Sequence, residues 1–277
     1  MKITKGKIIL LIIVAYFIIF AIINVNKEKD TNKKILDKVT YVTDGKVNKK
    51  NEGKLVLVTG KVGYDELVSF LELPEEFGTI KISRKVEDYV KEYDEDSKEY
   101  EYDWKEREHP LNNESDNYLE KVVSEEKTSN VTIGEFKLDK KGLDLIPTRI
   151  YAEAESIGEL TTKGIAYERD PWEEDLKEGD IRLSYQYYDI KKNPYITVLA
   201  VQRGDSFEPY EVDKKNNVYQ LYVGKINNKE KLAKQLKANV KSTIKGKTLF
   251  ILMILGIGIF FIVDNGKGKR EKSEKTI

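Results

Sequence analysis

The chain has 277 residues, 35% of them charged, and its 48 basic and 48 acidic side chains cancel to a formal net charge of zero. That balance offers no basic excess for nucleic-acid phosphates, and the lack of cysteine excludes disulfide frameworks, thiolate metal sites and a cysteine nucleophile. The single histidine, His109 in KEREHPLNN, is too little for a zinc centre or a histidine-dependent triad, so an exposed loop position is expected for it.

In chain order, residues 1–7 carry Lys2, Lys5 and Lys7 and read as a cytoplasmic N-terminus. Ile8 to Ile23, IILLIIVAYFIIFAII, is uninterrupted by charge. With Asn24 and Val25 it approaches the ~20 residues that span a bilayer. No small-x-small cleavage site follows it, so an uncleaved anchor over 8–25 is expected rather than a signal peptide. A lysine-rich connector fills 26–52, and a β-rich domain is expected over 53–224.

Within that domain GKLVLVTGKV (Gly53 to Val62) reads as a strand bounded by glycines. YDELVSFLELP has helical spacing, with Leu67, Phe70 and Leu71 on one side and Pro74 as a stop. GTIKISRKVEDYVKEY fits both periods: Ile80 and Ile82 alternate, whereas Val86, Val90 and Tyr93 suit a helical face. In EYEYDWKERE, Tyr100, Tyr102 and Trp104 alternate with charges, which predicts a half-buried strand after a turn at Asp94 to Ser97. From Arg84 to Glu126 there are 16 acidic and 7 basic residues, a net of −9. No Asp-x-Asp-x-Asp-Gly loop is present, so these carboxylates read as the solvated face of strands.

Further on, IRLSYQYY, YITVLAVQR, SFEPYEV and VYQLYVG are four short strands joined by turns, which predicts a four-stranded antiparallel meander. Pro209 cannot donate to a ladder, so the third strand should be bulged or unpaired there. VQRGDSF contains the adhesion tripeptide Arg-Gly-Asp. Gly204 and Asp205 also suit a two-residue type II′ hairpin turn, with glycine supplying the positive φ of the first central position. NKEKLAKQLKANVKSTIKGK follows, with Leu232, Leu236, Val240 and Ile244 recurring every four residues. Lys229, Lys231, Lys234, Lys237, Lys241 and Lys245 make it a basic amphipathic juxtamembrane helix over 225–247 and candidate contacts for anionic lipid headgroups. The alternative is a helix that packs its apolar stripe on the protein.

Thr248 to Val263, TLFILMILGIGIFFIV, is apolar all round and reads as a second transmembrane helix over 248–263, followed by a basic tail over 264–277 that is expected to be cytoplasmic. The expected fold class is therefore a membrane-anchored α+β chain. It has a mostly antiparallel β domain, including the C-terminal meander, between two transmembrane helices. Basic residues flank both runs on both sides, but large domains are translocated largely regardless of charge, so an extracytoplasmic domain is expected.

The order of NEGKLVLVTG, KISRKVEDYVKEY, YDWKE, GDIRLSYQYYD and YITVLAVQRGDSFEPYEV before a helix into an apolar run resembles the transmembrane protein 43 family, also called LUMA. The resemblance extends from about Lys46 to Ile262 and is most specific in EGDIRLSYQYYD and VLAVQRGDSFEPY. It implies a non-enzymatic organiser of the membrane envelope, without cofactor or metal, that associates with itself and other membrane proteins. Animal members occupy the endoplasmic reticulum and inner nuclear membrane, with the domain in the lumen, and associate with lamins and emerin. Those partners apply only in a eukaryote, whereas in a prokaryote the site would be the plasma membrane. Animal members carry several apolar segments after the domain, and this chain has one. The other readings are a lipid- or ligand-binding membrane module and an envelope hydrolase using Glu173, Glu174 and Asp175 in RDPWEEDLKEGD. That cluster has the look of an exposed loop.

Overall fold

The computed structural model describes residues 5–73, 77–95, 97–114, 118–151, 178–213, 216–242 and 246. The elements in order are α1 (Lys5–Lys38), β1 (Thr40–Val42), a single 3-10 turn (Lys49–Asn51), β2 (Leu55–Tyr64), β3 (Lys81–Asp94), β4 (Glu99–Glu106) and α2 (Tyr118–Lys121). They continue with β5 (Glu125–Thr128), β6 (Val131–Ile133), β7 (Phe136–Lys137), α3 (Lys140–Asp144), β8 (Ile150–Tyr151), β9 (Ile181–Tyr187) and β10 (Tyr195–Arg203). The last are β11 (Ser206–Glu208), β12 (Tyr210–Asp213), β13 (Asn216–Val218), β14 (Gln220–Val223) and α4, over residues 229–242.

The chain divides into two compact units. One consists of Thr40–Glu211 and Asn217–Lys225 and holds two larger sheets. The first runs β11-β10-β2-β6-β7, with β1 on β2 and β14 on β10. Leu55 to Gly60 and Ile196 to Gln202 are buried at every position, as continuous apolar runs are when both faces of a strand are covered. Val56, Val58, Ile133, Ile196, Val198 and Phe136 form its core, each adding about 1.5–3 kcal/mol by burial. Thr59 and Thr197 face each other in the β2–β10 register, and their hydroxyls hydrogen-bond at 2.9 Å, which satisfies two polar groups in this core. Gly134 closes the β6–β7 turn with φ +63°, and a Cβ there would lie 2.4 Å from the Gly45 carbonyl oxygen.

The second sheet runs β4-β3-β9-β8, with β5 also on β3. Ile82 and Val86 of β3 pack with Ile181, Leu183 and Tyr185 of β9 beneath Phe70, Leu73 and Val122. β12 and β13 form a separate two-stranded sheet.

In the other unit, made of Met1–Val39, Val212–Asn216 and Ile226–Ile277, α1 and α4 touch. The Asn32 side-chain amide donates to the Leu236 carbonyl at 3.4 Å, and Lys229 lies 3.9 Å from Asp37. Ile35, Leu232, Leu236 and Val240 are buried.

The expected fold class is corrected on two points. Among the described residues no helix is long and apolar enough to cross a membrane, which leaves the expected pair of transmembrane helices without support. The first apolar run falls on α1, which continues without a break through Lys27, Glu28, Lys29 and Asp30 to Lys38 and whose side chains are described from Tyr16 onward except at residue 18. The second run, Thr248 to Val263, and the tail after it lie outside the described residues. The meander is also divided. β9 pairs with β3 in the second sheet, while β10, β11 and β14 belong to the first. Its third strand breaks at Pro209 into β11 and β12, because proline lacks the N–H that a ladder needs.

Residues 65–73 are not helical either. Val68 forms a β-bridge with Thr79, and Phe70 is buried under the second sheet, so tertiary packing overrides the helical spacing. The segment that fitted both periods is β3, a strand of 14 residues.

Candidate functional site: a charged cleft where two strands part

β3 has two successive neighbours along one edge. Its first residues pair with β5, ending at Arg84 opposite Glu125, and its later residues pair with β4, starting at Glu87 opposite Glu106. Between them Lys85 and Val86 have no strand on that side. Ser124 fills the gap: its hydroxyl oxygen accepts the Val86 N–H at 3.0 Å, and its own N–H donates to the Arg107 carbonyl at 3.0 Å. The Arg107 N–H in turn donates to the Val86 carbonyl at 2.8 Å, which supplies the backbone group that an ordinary ladder would have bonded.

A cleft of about 570 Å³ opens over this gap. Strand alternation puts Ser83, Lys85 and Glu87 of β3 on the same face as Arg182, Ser184 and Gln186 of β9, and these residues line it. Glu87 is the centre, with only 5% of its surface exposed. It accepts from Lys85 Nζ at 2.6 Å and from Arg182 Nε at 2.8 Å, and Arg182 Nη2 forms an ion pair with it at 2.7 Å. Burial pushes its carboxyl up, but the hydrogen bonds and charges of Lys85 and Arg182 outweigh that and hold it below its ordinary 4.5. The Arg182 guanidinium lies 4.5 Å above the Trp104 ring, a cation–π contact that fixes the fork in place.

Arg84 points to the opposite face. It donates to Glu72 at 2.6 Å, Tyr118 at 3.1 Å, Glu125 at 3.2 Å and the Val123 carbonyl at 3.0 Å, and it stacks 4.3 Å from the Phe70 ring centre. The Tyr118 hydroxyl donates a short hydrogen bond to Glu72. Burial first, and then the adjoining Glu72 carboxylate, raise the Tyr118 phenol well above its ordinary value, so it stays protonated. Lys81 reaches the Leu143 and Asp144 carbonyls at the end of α3, at 3.0 and 3.2 Å, and Glu126 at 3.2 Å. Arg107 is paired with Asp88 through a short, two-pronged contact. Buried charges persist only where paired in this way.

The cleft thus presents both cationic and carboxylate side chains, with serine and glutamine between them. It suits recognition of a polar group better than proton transfer, because its central carboxylate is ionised and doubly bonded to cations. Among the described residues no group of three or more His, Asp or Glu side chains could hold a metal ion.

Lys229, Lys231, Lys234, Lys237 and Lys241 are all exposed on α4, while Leu232, Leu236 and Val240 on the same helix are buried in the protein. Lys245 and Glu173, Glu174 and Asp175 lie outside the described residues, and His109 is exposed in a loop. Gly204 and Asp205 join β10 to β11 with Arg203 opposite Ser206, and Gly204 has φ +57°. Arg203 pairs with Glu208 at 2.8 Å and Asp205 with Lys137 at 2.8 Å, so both charges of the Arg-Gly-Asp tripeptide are engaged within the chain.

None of the cleft residues, nor Glu72, was singled out from the sequence. Reading the acidic stretch as a solvated face hid Glu87, which is buried. A signal did exist: in KISRKVED, Arg84 falls in the same alternation phase as Ile82 and Val86, and a charge inside an apolar stripe demands a partner.

The family model described as Transmembrane protein 43 matches residues 81–264, two thirds of the chain. The match starts at the first residue of β3, later than the resemblance expected from about Lys46, and takes in every residue of the cleft. That family points to membrane association and is not known as a family of enzymes. No curated protein and no solved structure matches the chain.

Proposed function

We propose that this chain, which belongs to the transmembrane protein 43 family, is a non-enzymatic, membrane-associated organiser that holds other membrane proteins and further copies of itself. The observation that carries the proposal is the family match, which takes in the whole second sheet and its cleft, with the central carboxylate locked by Lys85 and Arg182, as well as β6, β7, β10, β11 and β14 of the first sheet. A polar surface whose central charges are held by paired neighbours suits binding, since those groups lose little freedom when a partner docks. Proximity cross-linking of the full chain in native membranes, combined with its mass after solubilisation, tests this. Captured neighbours and a mass above one chain are expected, whereas a strict monomer without neighbours would overturn it.

A second reading, contact with anionic headgroups through α4, is favoured by the exposure of all five described candidate lysines there. With Leu232, Leu236 and Val240 already buried, such contact would rest on charge alone.

A further inference from the structure

β4 ends the second sheet, and among the described residues no strand pairs with its outer side. The Arg107 N–H points inward to Val86. Antiparallel alternation then directs the odd-numbered residues of β4 to β3 and turns the N–H and C=O groups of Tyr100, Tyr102, Trp104 and Glu106 outward. The Trp104 N–H agrees, since it is met by the carboxylate of Asp103 at 2.8 Å.

The two faces of the β3–β4 ribbon differ in kind. One carries Tyr100, Tyr102 and Trp104 with Tyr89 and Tyr93, whose rings contact across the strands at 5.1–5.4 Å. Tyr93, Tyr100 and Tyr102 remain 53%, 64% and 48% exposed. This face already receives cations: Lys91 Nζ lies 5.0 and 5.6 Å from the Tyr100 and Tyr102 rings, and Arg182 lies over Trp104. The other face of β4 carries Glu99, Glu101 and Asp103 together with Lys105, whose ammonium lies 2.8 Å from Glu92 and 3.9 Å from Asp103. From Glu87 to Glu106 there are 10 acidic and 3 basic residues.

We propose that the outer edge of β4 binds an extended, lysine- or arginine-rich segment of another protein, which adds a strand to the second sheet. An incoming strand would bond the outward groups of Tyr100, Tyr102 and Glu106. Its basic side chains would fall on the tyrosine rings on one face and near Glu99, Glu101 and Asp103 on the other. Charge selects the partner. A second copy of β4 would bring together two strands that each hold four carboxylates and one lysine, which is unfavourable for opposed strands, so the edge disfavours its own kind and acidic segments. The inference gives the organiser reading a partner chemistry and rests on that reading for its purpose. Its test is separate from cross-linking.

The test titrates the solubilised full chain with a labelled ten-residue peptide of alternating Lys and Thr. Fluorescence anisotropy is read together with amide exchange. Binding that protects residues 99–106 is expected, with no binding of the Glu–Thr counterpart and about tenfold weaker binding after Glu99→Gln, Glu101→Gln and Asp103→Asn together. A peptide N-methylated at alternate residues should also bind about tenfold more weakly, because strand addition depends on main-chain bonds. Tyr102→Pro removes an outward N–H that β3 does not use, and should weaken binding more than Tyr102→Thr does. The proposal falls if the Lys–Thr peptide does not bind, if protection appears elsewhere, or if the N-methylated peptide binds equally well. That last outcome would show charge adhesion without strand addition. Each failure leaves the cross-linking result standing.

Discussion

Arg84 and Glu72 meet at 2.6 Å inside the hydrophobic cluster of the second sheet, with 7% and 1% of their side chains exposed. The pair crosses from β3 to the loop over it and ties Phe70 and Leu73 to the sheet. Arg84→Met leaves Glu72 and Tyr118 without their cation in an apolar setting, and should cost about 3–5 kcal/mol. The simultaneous change Glu72→Leu should recover part of that loss, because no unpaired charge remains. Urea unfolding of both variants checks this, and an equal or greater loss in the double variant would contradict the account.

Glu87 predicts an acid-side effect. Its carboxyl is held below 4.5 in the folded chain, so its pairing stabilises the fold above that value and is lost as pH falls through the depressed folded value. The stability of the native chain should therefore fall more steeply below pH 4.5 than that of Glu87→Gln. Unfolding midpoints at a series of pH values measure the difference, and parallel curves would refute it.

Gly204→Val should destabilise the β10–β11 hairpin by about 2 kcal/mol, since a β-branched residue is strained at positive φ. Gly134→Ala should cost more, about 3 kcal/mol, because its Cβ would press on the Gly45 carbonyl at 2.4 Å as well. Thermal melts rank the two, and the reverse order would show that the Gly45 loop shifts freely.

The lysines of α4 predict charge-dependent lipid retention. Neutralising Lys229, Lys231, Lys234, Lys237 and Lys241 should reduce the anionic phospholipid that co-purifies with the chain, by about fivefold in affinity for each lysine at low salt. Raising ionic strength should have the same effect on the native chain. Unchanged lipid content in both experiments would leave these lysines as a solvated face.

Features that depend on near neighbours in the chain were readable beforehand. Tyr100, Tyr102 and Trp104 show the alternation of β4, YITVLAVQR shows the strand β10, and the four-residue spacing of Leu232, Leu236 and Val240 shows the apolar stripe of α4. Each pattern records the period of its own backbone. The segment over 65–73 was misread for the same reason: helical spacing there is outweighed by the Val68–Thr79 bridge and the burial of Phe70.

The amino-acid order alone determined that the polar domain would be rich in strands, where several begin and end, and that a turn suited Gly204 and Asp205. It also carried the family resemblance. Only the tertiary structure decided which strand lies beside which. It sent β9 to one sheet and β10 to another, brought Glu87 within bonding distance of Arg182, and parted β4 from β5 to open the cleft. The physical reason is separation along the chain. A strand's period is set within a few residues, but Glu87 and Arg182 stand 95 positions apart, and nothing local to either names the other.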